Sequence, residues 1–326
     1  MLALYSTPAT VDRSDFDAEE PDLAERSALI ARAAVAERSG CAKLVKMLEQ
    51  TVPAVLLAAS EALFNLAILS ENADALVSLN AMGRLHELCS HEDSAVTTGF
   101  VGVLMNCCAS SSMARAELAS QDLLTTLSDL LARAVESENL ELAARALGAM
   151  GNLLLEERCA ASARSCVPLL LRMMAESPGE SETLVEDATT CLVRVARADH
   201  SACQLLVERG AVEAISKAMD SSQSEELQVR LCQLTSRLSE VISTVPEDMH
   251  CLGVTSKLLH LLSASAEEVQ EGAVLALKYV SAHAPAAQAC RREGAIDGIV
   301  TLFQSEEARL QTTGAFFAFT PPFAPS

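Results

Sequence analysis

The chain has 326 residues, of which half are apolar and only 3% are aromatic, and it contains no Trp. Its 44 acidic and 24 basic side chains give a net charge of −20. This charge argues against nucleic acid and anionic membrane surfaces as partners, because both are bound largely through Lys and Arg. A chain rich in Ala and Leu and poor in aromatic residues favours helices over strands, so we expect an all-α protein.

The eleven cysteines are scattered, and most lie among apolar residues in helical patterns. The N-terminal stretch lacks the basic start and the long apolar core of a secretory signal. No apolar run approaches the roughly 18 residues that a membrane span requires. The thiols therefore suit a reducing compartment, where they serve as small core residues. We expect the cytosol, with the nucleus as an alternative.

Taken in chain order, the sequence divides into four parts. Residues 1–21 are polar and acidic, include Pro8 and Pro21, and predict a disordered leader. Residues 22–50 predict a partial first repeat, and 51–305 a series of helical repeats. Residues 306–326 begin another repeat and end in an apolar tail with four of the eight Phe, which we interpret as a truncated repeat.

A small or polar breaker residue recurs at intervals of 40, 42, 43, 45, 43 and 41 positions. The breakers are Gly40, Asn80, Asp122, Ser165, Gly210, Gly253 and Gly294. Gly and Asn tolerate the positive φ of a helix end, while Asp, Ser and Asn cap the next helix. The fifth and eighth residues after each breaker are apolar in every unit and share one face of a helix.

A longer apolar segment with helical spacing ends 10 to 13 residues before each breaker from Asn80 onward. These segments span 54–68, 95–109, 140–155, 184–198, 227–241 and 267–282. Each unit is therefore predicted to hold a short helix, a second helix after the breaker, and a third, longer helix.

A period of about 40–47 residues with two or three helices is typical of the armadillo/HEAT class. The stretches GAVEAISKAM (210–219), GAIDGIVTLF (294–303) and EALFNLA (61–67) resemble armadillo repeats in particular. The resemblance covers roughly residues 22–319 and extends to β-catenin- and importin-α-type solenoids. It implies an all-α, right-handed α-solenoid superhelix of about seven three-helix armadillo repeats, whose third helices line a concave groove.

The resemblance also implies that a polar residue near the end of each third helix faces this groove and hydrogen-bonds the backbone of an extended peptide. We call the matching positions here the ladder residues: Asn65, Asn106, Asn152, Arg194, Arg237 and Tyr279. A carboxamide offers both a donor and an acceptor, so it can pair with a peptide unit whatever its side chain. The alternative is that these are surface or inter-repeat polar residues without a ligand.

The resemblance departs from importin-α proteins, which place a Trp one helical turn before the Asn. The corresponding positions here are Glu61, Gly102, Gly148, Thr190, Gln233 and Leu275. The missing Trp argues against recognition of nuclear-signal Lys side chains. Arg194 and Arg237 add basic character to the second half of the groove, whereas Glu61 and Asn65 keep the first half neutral to acidic. We therefore expect a segmented peptide-binding groove, with backbone-reading Asn followed by anion-tolerant Arg.

Four glycines interrupt the third helices, at Gly99, Gly102, Gly148 and Gly151. Each costs about 0.5–1 kcal/mol of helix stability relative to Ala, which calls for a compensating role. One reading is open space for a bulky partner side chain, and the other is close packing against the neighbouring helix.

The sequence contains no catalytic motif and no Cys and His spacing typical of a zinc site, so we expect neither an enzyme nor a bound metal or cofactor. The predicted function is a protein-interaction scaffold or adaptor that binds an extended peptide. Two alternatives are a chaperone cofactor of the nucleotide-exchange type that grips a folded domain, and a structural component of a larger assembly. The acidic leader is a further candidate for the groove ligand.

Overall fold

The computed structural model describes residues 40–156, 158–159, 163–175 and 182–293. These residues form seventeen α-helices and one short 3-10 helix, with no strand among them. The protein is therefore all-α, as the composition predicts. The predicted leader, most of the partial first repeat and the C-terminal tail lie outside the described residues.

The chain divides into two compact units, the first ending at Ser165 and the second beginning at Cys166. The helices of the first unit are α1 Gly40–Met47, α2 Pro53–Leu66, α3 Ser70–Ser78, α4 Met82–Leu88, α5 Ser94–Ser110, α6 Ser112–Ser120, α7 Leu123–Glu136, α8 Leu140–Leu153 and the 3-10 helix Ala163–Ser165.

The helices of the second unit are α9 Val167–Ala175, α10 Glu182–Ala198, α11 His200–Glu208, α12 Ala211–Ser221, α13 Glu225–Val241, α14 Val245–Cys251, α15 Val254–Leu261, α16 Glu267–Val280 and α17 Ala284–Arg292. In both units a short helix, a second helix and a long third helix follow one another. The fold is thus a helical repeat with armadillo-like three-helix units.

The turns between first and second helices lie where the breakers predict them. Asn80, Asp122, Gly210 and Gly253 have φ values of 54°, 56°, 88° and 75°. Gly, Asn and Asp are the residues that reach this left-handed region at least cost, so residue type alone explains these turns. Gly40 differs, because it is the first residue of α1 rather than a turn before it.

In each three-helix repeat, the core lies between the second and third helices. All described residues five and eight positions after a breaker are buried except Val45 and Leu261, which are half-buried. Ten of the eleven cysteines are buried with no disulfide, and burial raises the pKa of Cys107 and Cys232 to about 12. The prediction that the thiols are core residues is confirmed.

The third helices are α2, α5 and α8 in the first unit and α10, α13 and α16 in the second. Within each unit, consecutive third helices pack side by side. Over the described ranges, no helix has both the length and the apolarity needed to cross a bilayer.

Candidate protein-binding faces

The ladder residues lie in the last two turns of the third helices and form two groups. Asn65, Asn106 and Asn152 lie on α2, α5 and α8, which we call the first ladder face. Arg194, Arg237 and Tyr279 lie on α10, α13 and α16, which we call the second ladder face. Each face therefore brings three of the predicted residues onto neighbouring helices of one unit.

On the first ladder face, two asparagines tie consecutive third helices together. Asn106 donates a hydrogen bond from Nδ2 to the carbonyl oxygen of Phe64 at 2.8 Å. Asn152 donates in the same way to the carbonyl of Met105 at 3.2 Å. Each acceptor lies one residue before the ladder Asn of the preceding repeat, so the tie repeats in register. One amide hydrogen of each side chain is thus used within the protein.

Asn65 differs, because its Nδ2 donates to the carbonyl of Glu61 on its own helix, at 2.9 Å. Asn65 and Glu61 are exposed, Asn106 is half-buried, and Asn152 is only 3% exposed. Across the part of the chain that the structure describes, the Oδ1 atoms of the three asparagines accept no hydrogen bond. The acceptors of Asn65 and Asn106 are therefore the ones that a ligand can reach most directly.

The glycines of the first ladder face are covered by side chains of the protein itself. A Cβ atom on Gly102 would lie 2.9 Å from Arg145 Nη1 and 3.0 Å from Phe64 Cδ2, and one on Gly148 would lie 2.7 Å from Met105 Sδ. A Cβ on Gly99 would meet the side chain of Ser60. At these three positions the reading as open space for a partner side chain is wrong, because the neighbouring helix fills the space.

Arg145 on α8 covers much of this surface, and the sequence analysis did not single it out. It donates to the Thr98 carbonyl at 2.9 Å and pairs with Glu141 at 2.7 Å. Its guanidinium carbon lies 5.2 Å from the centre of the Phe64 ring, within cation–π range. The i,i+4 spacing of Glu141 and Arg145 was the available sequence signal, but it predicts only the ion pair.

On the second ladder face, Arg237 takes over the tie that asparagine makes on the first. Its Nε donates to the carbonyl of Ala196 on α10 at 3.1 Å, and its Nη1 pairs with Glu240 at 3.1 Å. Tyr279 donates its hydroxyl to the same Glu240 carboxylate at 3.1 Å. The ammonium of Lys278 lies 4.7 Å from the centre of the Tyr279 ring. Arg237 and Tyr279 are therefore joined through one carboxylate.

Arg194 is half-buried, and its Nη1 is buried without a hydrogen-bond partner among the described residues. Burial lowers the pKa of this guanidinium, and the like charges of Arg230 and Arg197 lower it further. Arg230 on α13 pairs with Glu226 at 2.5 Å and donates from Nη1 to Gln233 Oε1 at 3.3 Å. Arg230 is a second residue of this face that the sequence analysis missed.

Three carboxylates lie near the start of α10, where Glu182 is exposed and Glu186 and Asp187 are half-buried. Glu182 accepts hydrogen bonds from the backbone N–H groups of Gln223 and Ser224 at 3.0 and 2.8 Å, and Glu186 accepts one from the Ser224 hydroxyl. Burial, and then the charge of Glu186, raise the pKa of Asp187 to about 7, while Arg194 opposes the shift. Asp187 is therefore only partly ionised at neutral pH.

Within the described ranges no three Cys, His, Asp or Glu side chains come together as metal ligands. The arrangement on both faces is a set of hydrogen-bonding and charged side chains on rigid helices. Such an arrangement can bind a polypeptide, since carboxamides and guanidinium groups pair with backbone and acidic groups respectively.

The fold and the two faces define a helical-repeat protein with armadillo-like units. No protein-family model matches the sequence, and no curated protein matches it at a significant level. Among solved structures, the chain is similar to an engineered protein determined by the Northeast Structural Genomics Consortium as target OR497. The two are 22% identical, with 87% of this chain and 69% of that chain covered and a TM-score of 0.78.

Two further solved structures share less of the geometry. The designed armadillo repeat protein YIII(Dq)4CqI is 18% identical over 86% of this chain and 99% of that chain, with a TM-score of 0.48. The engineered protein solved as target OR329 is 19% identical over 85% and 94%, with a TM-score of 0.43. At such identities the similarity to target OR497 shows the fold alone.

Proposed function

We propose that the chain is a protein-binding scaffold or adaptor, and that its ladder faces hold an extended peptide segment of a partner. The observation that carries this proposal is the repeated tie of Asn106 and Asn152 to the preceding third helix. A side chain that is held by one hydrogen bond loses less conformational freedom when it binds a ligand, so its remaining groups are preorganised.

The chemistry of the remaining groups supports a peptide as the ligand. Each Asn amide retains a second hydrogen and an unpaired Oδ1, a donor and an acceptor that match one peptide unit. The spacing by one repeat allows successive units of an extended chain to be bound without regard to side chains. The proposal includes no catalysis and no cofactor. It places the protein in the cytosol, with the nucleus as an alternative, and excludes nucleic acid and integral membrane partners.

The test is selection of short random peptides displayed on phage against the full chain, followed by affinity measurement with a selected, labelled peptide. We expect the Asn65→Ala/Asn106→Ala variant to bind it about ten-fold more weakly, as expected for the loss of two hydrogen bonds. Asn152 is left unchanged, because its burial makes it a structural tie. The control variant is Gln50→Ala/Gln204→Ala, which removes two exposed carboxamides outside the ladder. Equal binding by both variants contradicts the proposal.

One observation favours the alternative of a folded partner. The side chains of Phe64, Met105 and Arg145 fill the glycine positions of the first ladder face, and a filled surface suits broad contact more than a peptide with deep anchors. A cofactor that grips a folded domain, or a structural component of a larger assembly, would select no peptides and would depend little on Asn65 and Asn106.

A further inference from the structure

Arginine side chains gather on the second ladder face. Arg194 and Arg197 lie one turn apart on α10, and Arg230 and Arg237 lie on α13, which packs beside α10. Arg194 lies close enough to Arg197 and Arg230 for their charges to lower its pKa. In a chain with a net charge of −20, this is a local concentration of basic side chains.

Of the three carboxylates at the start of α10, Asp187 is the one whose charge acts on Arg194, whereas burial raises the pKa of Glu186 and Arg230 opposes that shift. Glu186 is held by the Ser224 hydroxyl, and Glu182 by two backbone N–H groups. Asp187 has a pKa of about 7 because of its burial, so much of its charge is absent at neutral pH. None of the three forms an ion pair with Arg194 among the described residues.

The carboxylates on α13 are engaged with the other arginines of that helix. Glu226 pairs with Arg230, and Glu240 with Arg237 and the Tyr279 hydroxyl. Glu226 is 53% exposed and Arg230 18%, so the carboxylate of this pair is the partner that a ligand anion can replace. Arg230 and Arg237 thus each have an ion-pair partner, whereas Arg194 has none among the described residues.

One guanidinium nitrogen of Arg194 lacks a hydrogen-bond partner among the described residues. Its Nη1 is buried and donates no hydrogen bond within the described residues, and a buried, unpaired donor of this kind destabilises a protein. The side chain as a whole is only half-buried, so an acceptor can approach it from the open side of the face. The planar fork of a guanidinium is suited to carboxylate and phosphate groups.

The first ladder face provides an internal comparison. Arg145 and Arg230 both lie seven residues before a ladder residue, Asn152 and Arg237 respectively. Arg145 is bound by the Thr98 carbonyl, Glu141 and the Phe64 ring, and the ladder residue of the helix before it is a neutral Asn. Arg230 is held by Glu226 and Gln233 and in addition lies near a second guanidinium, that of Arg194. Among the described residues, the second face therefore combines two neighbouring cations at this position.

We propose, building on the peptide-binding function above, that Arg194 and Arg230 together bind one anionic side chain of the bound peptide, either a carboxylate or a phosphate monoester. Arg237, which the sequence analysis grouped with Arg194, is already engaged through Nε and Nη1. The second ladder face thereby gives the binding of a peptide a preference for an acidic side chain.

The peptides selected from the phage library test this assignment. The wild-type chain is expected to select peptides enriched in Asp or Glu at one position. The Arg194→Gln/Arg230→Gln variant is expected to lose that enrichment. It is also expected to bind a selected peptide at least about ten-fold more weakly, since hydrogen bonds to charged groups are among the stronger ones. The matched control is Arg209→Gln, an exposed arginine outside the face, for which the enrichment persists.

Arg194→Lys keeps the charge but not the fork, so it is expected to bind with intermediate affinity, and it covers the case in which the double variant fails to fold. Exchange of the selected Glu for phosphoserine separates the two sources of the anion: tighter binding indicates a phosphate monoester, and unchanged or weaker binding a carboxylate. Selection of peptides without acidic enrichment overturns this inference alone. Selection of no peptides overturns the proposed function together with it.

Discussion

The two ladder faces solve the same packing problem with different side chains. On the first, the short carboxamides of Asn106 and Asn152 reach the carbonyl groups of the preceding third helix. On the second, the longer Arg237 reaches the equivalent region of α10, at Ala196. At Asn106, Asn152 and Arg237 the ladder position is thus a tie between repeats, made by an Asn in one unit and an Arg in the other.

The two faces differ in the donors, acceptors and charge that the ladder side chain still has after it has bonded to the preceding helix. An asparagine that donates one hydrogen bond retains a neutral donor and acceptor, whereas an arginine retains several donors and a positive charge. A change from Asn to Arg at the ladder therefore preserves the stacking of helices but alters the ligand that the face can bind. Packing and recognition can change separately at such a position.

The largest effect is expected at a helix–helix contact that occurs on both ladder faces. Gly99 and Gly272 lie seven residues before a ladder residue, and a Cβ on either would lie 3.0 Å from the Cβ of Ser60 or Cys232 on the preceding third helix. We expect Gly99→Ala and Gly272→Ala each to lower the free energy of unfolding by about 1–3 kcal/mol through overpacking, measured by urea denaturation.

The matched control for these variants is Gly83→Ala in α4, where a Cβ would have no neighbour within 4 Å. Because Ala favours a helix over Gly by up to about 1 kcal/mol, this variant is expected to be as stable as the wild type or more stable. If Gly99→Ala and Gly272→Ala behaved like the control, the contact would not be a shared requirement of the two faces.

Much of the fold could be predicted from the sequence because its signals are local. Asn80, Asp122, Gly210 and Gly253 are residue types that favour a left-handed turn, and each turn lies where its breaker stands. The third helices follow from apolar spacing within single segments. Two breakers instead lie within helices: Gly40 is the first residue of α1, and Ser165 is the last residue of the 3-10 helix.

The candidate faces were less accessible to sequence reasoning, because their contacts join residues about forty positions apart. The repeat spacing of the ladder residues singled out Asn106, but it did not predict that its amide donates to the Phe64 carbonyl. Arg145 and Arg230 were missed, since a guanidinium that crosses to the neighbouring helix leaves no pattern along its own. The peptide-binding role of the ladder residues stays a prediction.

A smaller effect is expected at Asp187. It has the same position relative to its ladder residue as Gly99 has on α5, and Gly99 carries no charge. Burial raises the pKa of Asp187 to about 7 in the folded state, against about 3.9 when unfolded. Between these values the unfolded state releases the proton first, so the contribution of Asp187 to stability falls as pH rises through this range and is constant above it.

We therefore expect Asp187→Asn to stabilise the protein by about 2 kcal/mol near pH 8 and to have little effect near pH 3, about one unit below the unfolded pKa, where Asp187 is largely protonated in both states. The free energy of unfolding of both proteins, measured across this range, checks the prediction. Glu141→Gln on the first face is the control, because its exposed ion pair with Arg145 contributes little. A difference between Asp187→Asn and wild type that stays constant with pH would rule out titration of Asp187 as its cause.

The smallest effect concerns the end of the second ladder face, where Glu240 joins Arg237 to Tyr279. Burial and then Glu240 raise the pKa of the Tyr279 phenol above its usual value, while Arg237 opposes the shift. The chain has one other tyrosine, Tyr5, so an alkaline titration followed by phenolate absorbance contains two transitions. The Tyr279→Phe variant shows which of the two transitions belongs to Tyr279. We expect Glu240→Gln to lower the pKa of Tyr279 and Arg237→Gln to raise it. Unchanged titration in both variants would mean that the three side chains are not joined in solution, and the second face would then have a free carboxylate able to neutralise its arginines.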